Sequence, residues 1–279
     1  MGGIARRLPA GLAPLTVGRP SLEVLVDAAD AAGFARVGVT LWAPGHRPAR
    51  LCADAATQRA AVRTVRRSGV HVLDVGVVTL EPGLDLDDLR RVIDAAGALG
   101  ADRLVAMNVD PSPTRAAATL AAVCAEAAPA GLAVAVEFMP YTATKTLAAA
   151  CDLVLATGHA GAGIVVDALH LHRSGGTPAG LASRGTVPVL LAQICDARRE
   201  PPPPDRLRAE ALSDRLYPGQ GDLPLAELLA ALPAGVPITV EAPVAADVDC
   251  PPRERARRAA AGLARLLPAS PLNRSDGPP

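Results

Sequence analysis

Eight short apolar runs recur along this chain, separated by longer, alanine-rich amphipathic stretches. The runs fall at residues 12–17, 36–41, 71–78, 103–109, 133–138, 163–167, 188–195 and 237–241. Each is of strand length, and most are rich in Val, Ile or Leu without clean polar alternation. Strands buried on both faces of a parallel sheet read this way, because helices cover both sides. The intervening stretches carry helix punctuation. Residues 21–32 open on Ser21, an N-cap residue, with Glu23 just inside, and stop at Gly33. Residues 85–99 stop at Gly100, and residues 113–130 begin with Pro113 in the first turn.

Eight strands with helices between them, in a chain of 279 residues, match the size of one (β/α)8 barrel. The expected fold is therefore α/β, a single (β/α)8 TIM barrel over residues 1–267. A polar, Pro- and Gly-rich tail over residues 268–279 is expected to be flexible. A doubly wound open sheet is the structural alternative, but no strand is followed by a phosphate-cradling glycine loop. The glycine-rich segment Gly158-His159-Ala160-Gly161-Ala162-Gly163 precedes a strand, so it reads as the turn that ends a helix. Pro201–Pro204 should be extended polyproline II, making the connection after strand seven long and stiff.

Charge narrows the function classes. Lys+Arg and Asp+Glu both number 28, for a formal net charge of +0, which argues against a general nucleic-acid partner. No run reaches the roughly 18 apolar residues of a membrane span. The first 15 residues, broken by Arg6, Arg7, Pro9 and Pro14, lack a signal-peptide core. The five cysteines form no CxxC pair and are odd in number, so no disulfide framework is expected. A cytoplasmic setting follows from these features, and a homo-oligomer is compatible with them.

In a (β/α)8 barrel the C-terminal strand ends share one rim, where catalytic groups gather. Here strand five ends at Glu137, strand six at Asp167, strand seven places Gln193 near its end, and strand eight ends at Glu241. Converging carboxylates repel one another and must hold protons or find a cation. A divalent ion relieves the repulsion, and oxygen donors suit Mg²⁺ or Mn²⁺. The competing reading pairs these carboxylates with nearby arginines such as Arg173, Arg198, Arg199 and Arg215. On the loop after strand five, Lys145 is a candidate substrate anchor, or a Schiff-base nucleophile if desolvated. Trp42, after strand two, and Tyr141 are placed to wall a small-molecule pocket.

Several local words resemble the xylose-isomerase-like TIM-barrel superfamily of sugar-phosphate isomerases and epimerases. They are Ala29-Asp30-Ala31-Ala32-Gly33-Phe34, Glu137-Phe138-Met139-Pro140, Asp167-Ala168-Leu169-His170, Gln193-Ile194-Cys195-Asp196, Arg215-Leu216-Tyr217-Pro218-Gly219-Gln220-Gly221 and Val240-Glu241. The resemblance spans nearly the whole chain and implies one divalent ion held by Glu137, Asp167, Gln193 and Glu241. Mn²⁺ or Mg²⁺ is favoured, with Co²⁺ or Zn²⁺ as alternatives. Gln193 departs from the family's usual histidine, and an amide oxygen is a weaker, harder donor than imidazole. The resemblance further implies that His170 lies beside the ion as a catalytic residue, contacting substrate oxygens or shuttling protons, that Arg199 binds a substrate oxygen, and that Arg215 stands at the mouth of the site.

The same resemblance implies an acid/base pair, Glu137 and Glu241. These would move a proton of a small polyhydroxy substrate through a metal-stabilised enediolate, giving isomerisation or epimerisation. A dehydratase or lyase acting on a keto-sugar or cyclic polyol would use the same residues. A metal-free barrel serving as a binding subunit is the alternative that Gln193 keeps open. A multi-metal phosphodiesterase is disfavoured, since the chain has only five histidines.

Overall fold

A computed structural model describes residues 7–43, 47–52, 54–182 and 187–267. The tail expected over 268–279 lies outside the described residues. Eight parallel strands close into one barrel: β1 (Leu8–Leu12), β2 (Phe34–Thr40), β3 (His71–Leu80), β4 (Arg103–Asn108), β5 (Ala133–Glu137), β6 (Ala162–Asp167), β7 (Val189–Ile194) and β8 (Ile238–Val240). Each pairs with its sequence neighbours, and β1 pairs with β8 to complete the ring. This is a (β/α)8 barrel, as the alternating pattern predicts.

The helices end where their capping residues lie. In α1 (Leu22–Ala31) the Ser21 side chain accepts from the Val24 amide, and Gly33 takes a left-handed φ of 81° just beyond. The helices α2 (Ala55–Ser68) and α3 (Leu86–Leu99) follow. The Asp85 carboxylate caps α3 by accepting from the Asp87 and Asp88 amides. The helix α4 (Pro113–Ala127) is shorter than the predicted 113–130, because its last residues tighten into a 3-10 turn, Ala128–Ala130. Gly158, at φ 61°, caps α5 (Leu147–Thr157), so the glycine-rich segment is a helix terminus.

The first strand differs from expectation. The barrel uses Leu8–Leu12, whereas Pro14–Val17, inside the predicted run, forms a 3-10 turn. Pro14 offers no N–H to a ladder and fixes φ near that of a helical turn, so the apolar run bends out of the sheet.

Side-chain alternation separates two cores. One face of the strands packs on the helices in a continuous apolar layer. The other fills the barrel with Leu73, Val105, Ala135, Val165 and Leu191, one residue from each of five consecutive strands. Counting two residues onward along β5, β6 and β7 from Ala135, Val165 and Leu191 reaches Glu137, Asp167 and Gln193. Strand period thus aims all three into the barrel mouth.

Candidate metal centre and active site

Register sets the levels of these groups. Gln193 pairs with Asp167, while Glu137 pairs with Val165, one interior layer below Asp167. Gln193 also pairs with Thr239, so Glu241 stands one layer above it. A ligand in the mouth would meet Glu137 deepest and Glu241 nearest the opening. Of these two, Glu137 is the more buried: its side chain is 4% exposed and the Glu241 side chain 16%.

Asp167 has two tasks. It caps α6 (Ala168–Arg173), its Oδ1 accepting from the His170 amide at 2.9 Å, which orients His170 over the same pocket. Its Oδ2 accepts from Arg215 Nη1 at 2.6 Å. The His170 ring is 2% exposed, holds Nε2 3.7 Å from Glu137 Oε1, and meets the Tyr141 ring edge-on at 5.7 Å between centroids. One ligand atom from each of Glu137, Asp167 and His170 lies within 4.8 Å of the others.

Arg215, which the sequence reading puts at the mouth of the site, turns inward and is buried among the carboxylates there. Its side chain is 2% exposed and lies between two of the carboxylates, with Nη2 3.4 Å from Glu241 Oε2. Nη1 also donates to the Glu241 carbonyl at 3.1 Å, and Nε donates to the Ala211 carbonyl at 2.8 Å. The backbone explains the inward turn. After α7 (Pro178–Ala182), β7 and the polyproline segment, the chain runs through α8 (Leu207–Ser213). It then returns to the rim as Leu216 forms a two-way bridge with Asp196, and the Arg215 amide donates to the Pro243 carbonyl. Anchored to the ends of both β7 and β8, residue 215 faces the barrel axis.

Asp196 organises a loop beside these groups, and sequence reasoning left it without a role. Its buried carboxylate accepts from the amides of Ala197, Gly219 and Leu223, holding the Pro218–Gly221 turn over the site. Gly219 takes a φ of 80°, and a Cβ on Gly221 would collide with the Ala197 carbonyl oxygen and Asp196 Oδ1. The spacing of the two glycines is thus dictated by one left-handed turn and one close backbone approach. The signal was present in the Asp196 of the quoted Gln193 word, but two of its partners, Gly219 and Leu223, lie more than twenty residues away. A second such residue is Asn108, which ends β4 and donates to Thr144 Oγ1 at 3.1 Å, tying the β4 and β5 loops together.

Burial pushes the Glu137 carboxyl well above the usual range, and the neighbouring Glu241 and Asp167 charges push it further. Burial also raises Glu241, with Arg215 opposing and Asp167 reinforcing. For Asp167 the burial penalty is outweighed by Arg215 and His170, and its carboxyl sits below the ordinary value. Burial holds the His170 imidazole down, to about 4, so it is neutral at physiological pH.

The donor set fits a divalent ion. Three carboxylates face one guanidinium, leaving two negative charges to be met by protons or a cation. Gln193 donates through Nε2 to Glu241 Oε2 at 3.3 Å, whereas its Oε1 is buried with no hydrogen-bond partner, an acceptor without a donor. The arginine-pairing alternative holds for Asp167 and partly for Glu241, and leaves Glu137 and the Gln193 oxygen unanswered. The remaining candidates stand apart. Arg199 and Lys145 are exposed and make no hydrogen bond or ion pair to the cluster. Trp42 is buried on a two-residue ribbon after β2, and its Nε1 lacks a partner.

Comparison with known proteins identifies the family. Residues 26–266 match the family model described as xylose isomerase-like TIM barrel. A search of curated proteins finds no match. Among solved structures, the IolI protein with a bound zinc atom superposes with a TM-score of 0.78 at 17% identity, over 93% of this chain and 98% of that one. The probable 3-DHS dehydratase AsbF of Bacillus anthracis gives 0.72 at 12% identity, over 92% and 99%. The D-psicose 3-epimerase of Clostridium cellulolyticum H10 gives 0.69 at 12% identity, over 93% and 98%. These likenesses show the fold, and the family match covers most of the sequence. The chain belongs to the xylose isomerase-like TIM-barrel family.

Proposed function

We propose that the protein is a divalent-metal-dependent isomerase or epimerase of a small sugar-like hydroxy-ketone. The observation that carries this reading is the barrel-mouth cluster itself: three carboxylates and an unpartnered amide oxygen around a single guanidinium. Glu137, Asp167, Gln193 and Glu241 would hold the ion, with His170 beside them. When bound, the ion supplies Lewis-acid polarisation of a substrate oxygen and acidifies the neighbouring C–H. The zinc atom of IolI and the epimerase and dehydratase relatives agree with such a site.

The chain's own groups then divide the work. Glu137 and Glu241 rise from strands three positions apart in the ring, so they approach a substrate in the mouth from different sides. One removes a proton and the other returns one, at the same carbon for epimerisation or its neighbour for isomerisation. Arg215 holds Asp167 and Glu241 in place. Neutral His170 offers Nε2 to a substrate hydroxyl. The substrate is a small polyhydroxy molecule. No helix among the described residues is long and apolar enough to cross a membrane.

The test is solvent-proton exchange. Incubating the Mn²⁺-supplemented protein with ketoses in D₂O should replace one C–H next to the carbonyl, read by proton NMR. Glu241→Gln should slow exchange by about 10²-fold or more. Wild-type exchange in this variant would refute the assigned role. Loss of water to give a deoxy-dicarbonyl product instead would identify the dehydratase chemistry.

A further inference from the structure

The loop after β1 is tied to the active-site strand. Thr16, in the 3-10 turn, is completely buried. Its hydroxyl donates to the Val240 carbonyl at 2.8 Å and accepts from the Ala242 amide at 2.9 Å. The Ala13 amide donates to the same Val240 carbonyl at 3.0 Å. These bonds grip the backbone on both sides of Glu241, so the loop has a fixed position relative to that carboxylate.

Two left-handed residues follow, Gly18 at φ 84° and Arg19 at φ 53°. Among the described residues, Arg19 is the only non-glycine with positive φ. Its amide donates to the Pro14 carbonyl at 2.8 Å, which locks the turn. An L side chain is disfavoured there and glycine is not. Strained residues of this kind persist where the surroundings over-determine them, and they concentrate at functional sites.

What the strain presents is an exposed guanidinium with no hydrogen bond or ion pair among the described residues. It lies on the barrel's C-terminal rim, in the loop that Thr16 and Ala13 pin to the backbone on either side of Glu241. Behind it, the negative charge of Glu137, Asp167 and Glu241 is met by Arg215 and would be completed by a divalent ion. A further cation, carried on a fixed backbone at the opening, is then left over for a ligand. Its planar fork suits bidentate binding of carboxylate or phosphate.

We propose that Arg19 anchors an anionic group of the substrate, a carboxylate or a phosphate, and thereby sets the substrate class of this site. The proposal rests on the proton-transfer reading for the fate of the substrate, whereas anion binding can be measured without turnover. The experiment is calorimetric titration of the Mn²⁺-supplemented protein with fructose, 2-ketogluconate (fructose oxidised at C1) and fructose 6-phosphate. At least one anion should bind about tenfold or more tightly than fructose. The anion that does so tells a carboxylate site from a phosphate site.

Arg19→Gly should erase this preference while keeping a Tm equal to or above that of the wild type, because glycine accepts the left-handed backbone. Arg19→Lys should retain part of the preference. An unchanged preference in Arg19→Gly, or no preference in the wild type, would overturn the proposal. Deuterium incorporation into the same compounds separates the two claims. Exchange without anion preference would overturn the anchor and leave the proton-transfer reading standing. Anion preference without exchange would support the anchor and count against that reading.

Discussion

Replacing Arg215 with methionine tests how the barrel mouth balances its charge. The guanidinium donates to Asp167 at 2.6 Å and lies 3.4 Å from Glu241, and both its own side chain and that of Asp167 are at most 2% exposed. Arg215→Met keeps much of the aliphatic volume and removes the charge, stranding Asp167 beside Glu137 and Glu241. Removing one partner of a buried pair costs about 3–5 kcal/mol. At roughly 2 °C per kcal/mol for a domain of this size, Tm should fall by roughly 6–10 °C at neutral pH in the presence of EDTA. The deficit has a sign in pH. Asp167, held below its ordinary value in the wild type, would be raised in the variant, so the variant takes up protons as pH falls. The difference between the two proteins should therefore shrink towards pH 5. It should also shrink with Mn²⁺: an ion at a hundredfold excess over Kd adds about 2.7 kcal/mol of linkage to either protein, and a variant that binds it more tightly gains more at the same concentration. The assay is differential scanning fluorimetry across pH, with EDTA and with Mn²⁺. A deficit indifferent to both pH and metal would refute the electrostatic account and leave Arg215 as a packing residue.

Three further outcomes follow from the same geometry. Asp74, on β3, has its carboxyl pushed up to about 7 by burial and then by Glu241, and its Oδ2 is buried without a partner. A folded-state value above the unfolded one means that stability falls as pH rises from about 4 to 7. Asp74→Asn should therefore be more stable than the wild type at pH 8 by about 4 kcal/mol and about equal at pH 4; urea midpoints at the two pH values check this, and no gain at pH 8 contradicts it. Gly221→Ala should lose about 1–3 kcal/mol, because its Cβ would press on Asp196 Oδ1 and the Ala197 carbonyl; a wild-type Tm would show that the turn can give way. Gln193→His should bind Zn²⁺ or Co²⁺ about tenfold more tightly in chelator competition; unchanged affinity would remove residue 193 from the ligand set.

Much of the architecture was legible because it depends on local periodicity. Parallel strands buried on both faces leave long apolar runs, and a barrel places all their C-terminal ends on one rim. Glu137, Asp167, Gln193 and Glu241 could thus be grouped before any coordinates. Boundaries decided by a single residue were harder, as Pro14 shows by turning an apolar run out of the sheet. What the sequence did not convey depends on distant partners. The inward turn of Arg215 follows from the Asp196–Leu216 bridge and from Pro243. Asp196 organises a loop by bonding amides at Gly219 and Leu223. The left-handed backbone of Arg19 leaves no mark in the residue type, since glycine is the usual sign of such a turn and arginine stands in its place.

The central claim is that the barrel mouth takes a divalent ion. Its most direct test is the metal content of untagged, natively purified protein by inductively coupled plasma mass spectrometry, repeated for Glu137→Ala and Asp167→Ala. The account predicts about one equivalent of Mn, Mg, Co or Zn in the wild type and little in either variant. No bound metal after incubation with excess Mn²⁺ or Mg²⁺ at neutral pH would contradict it.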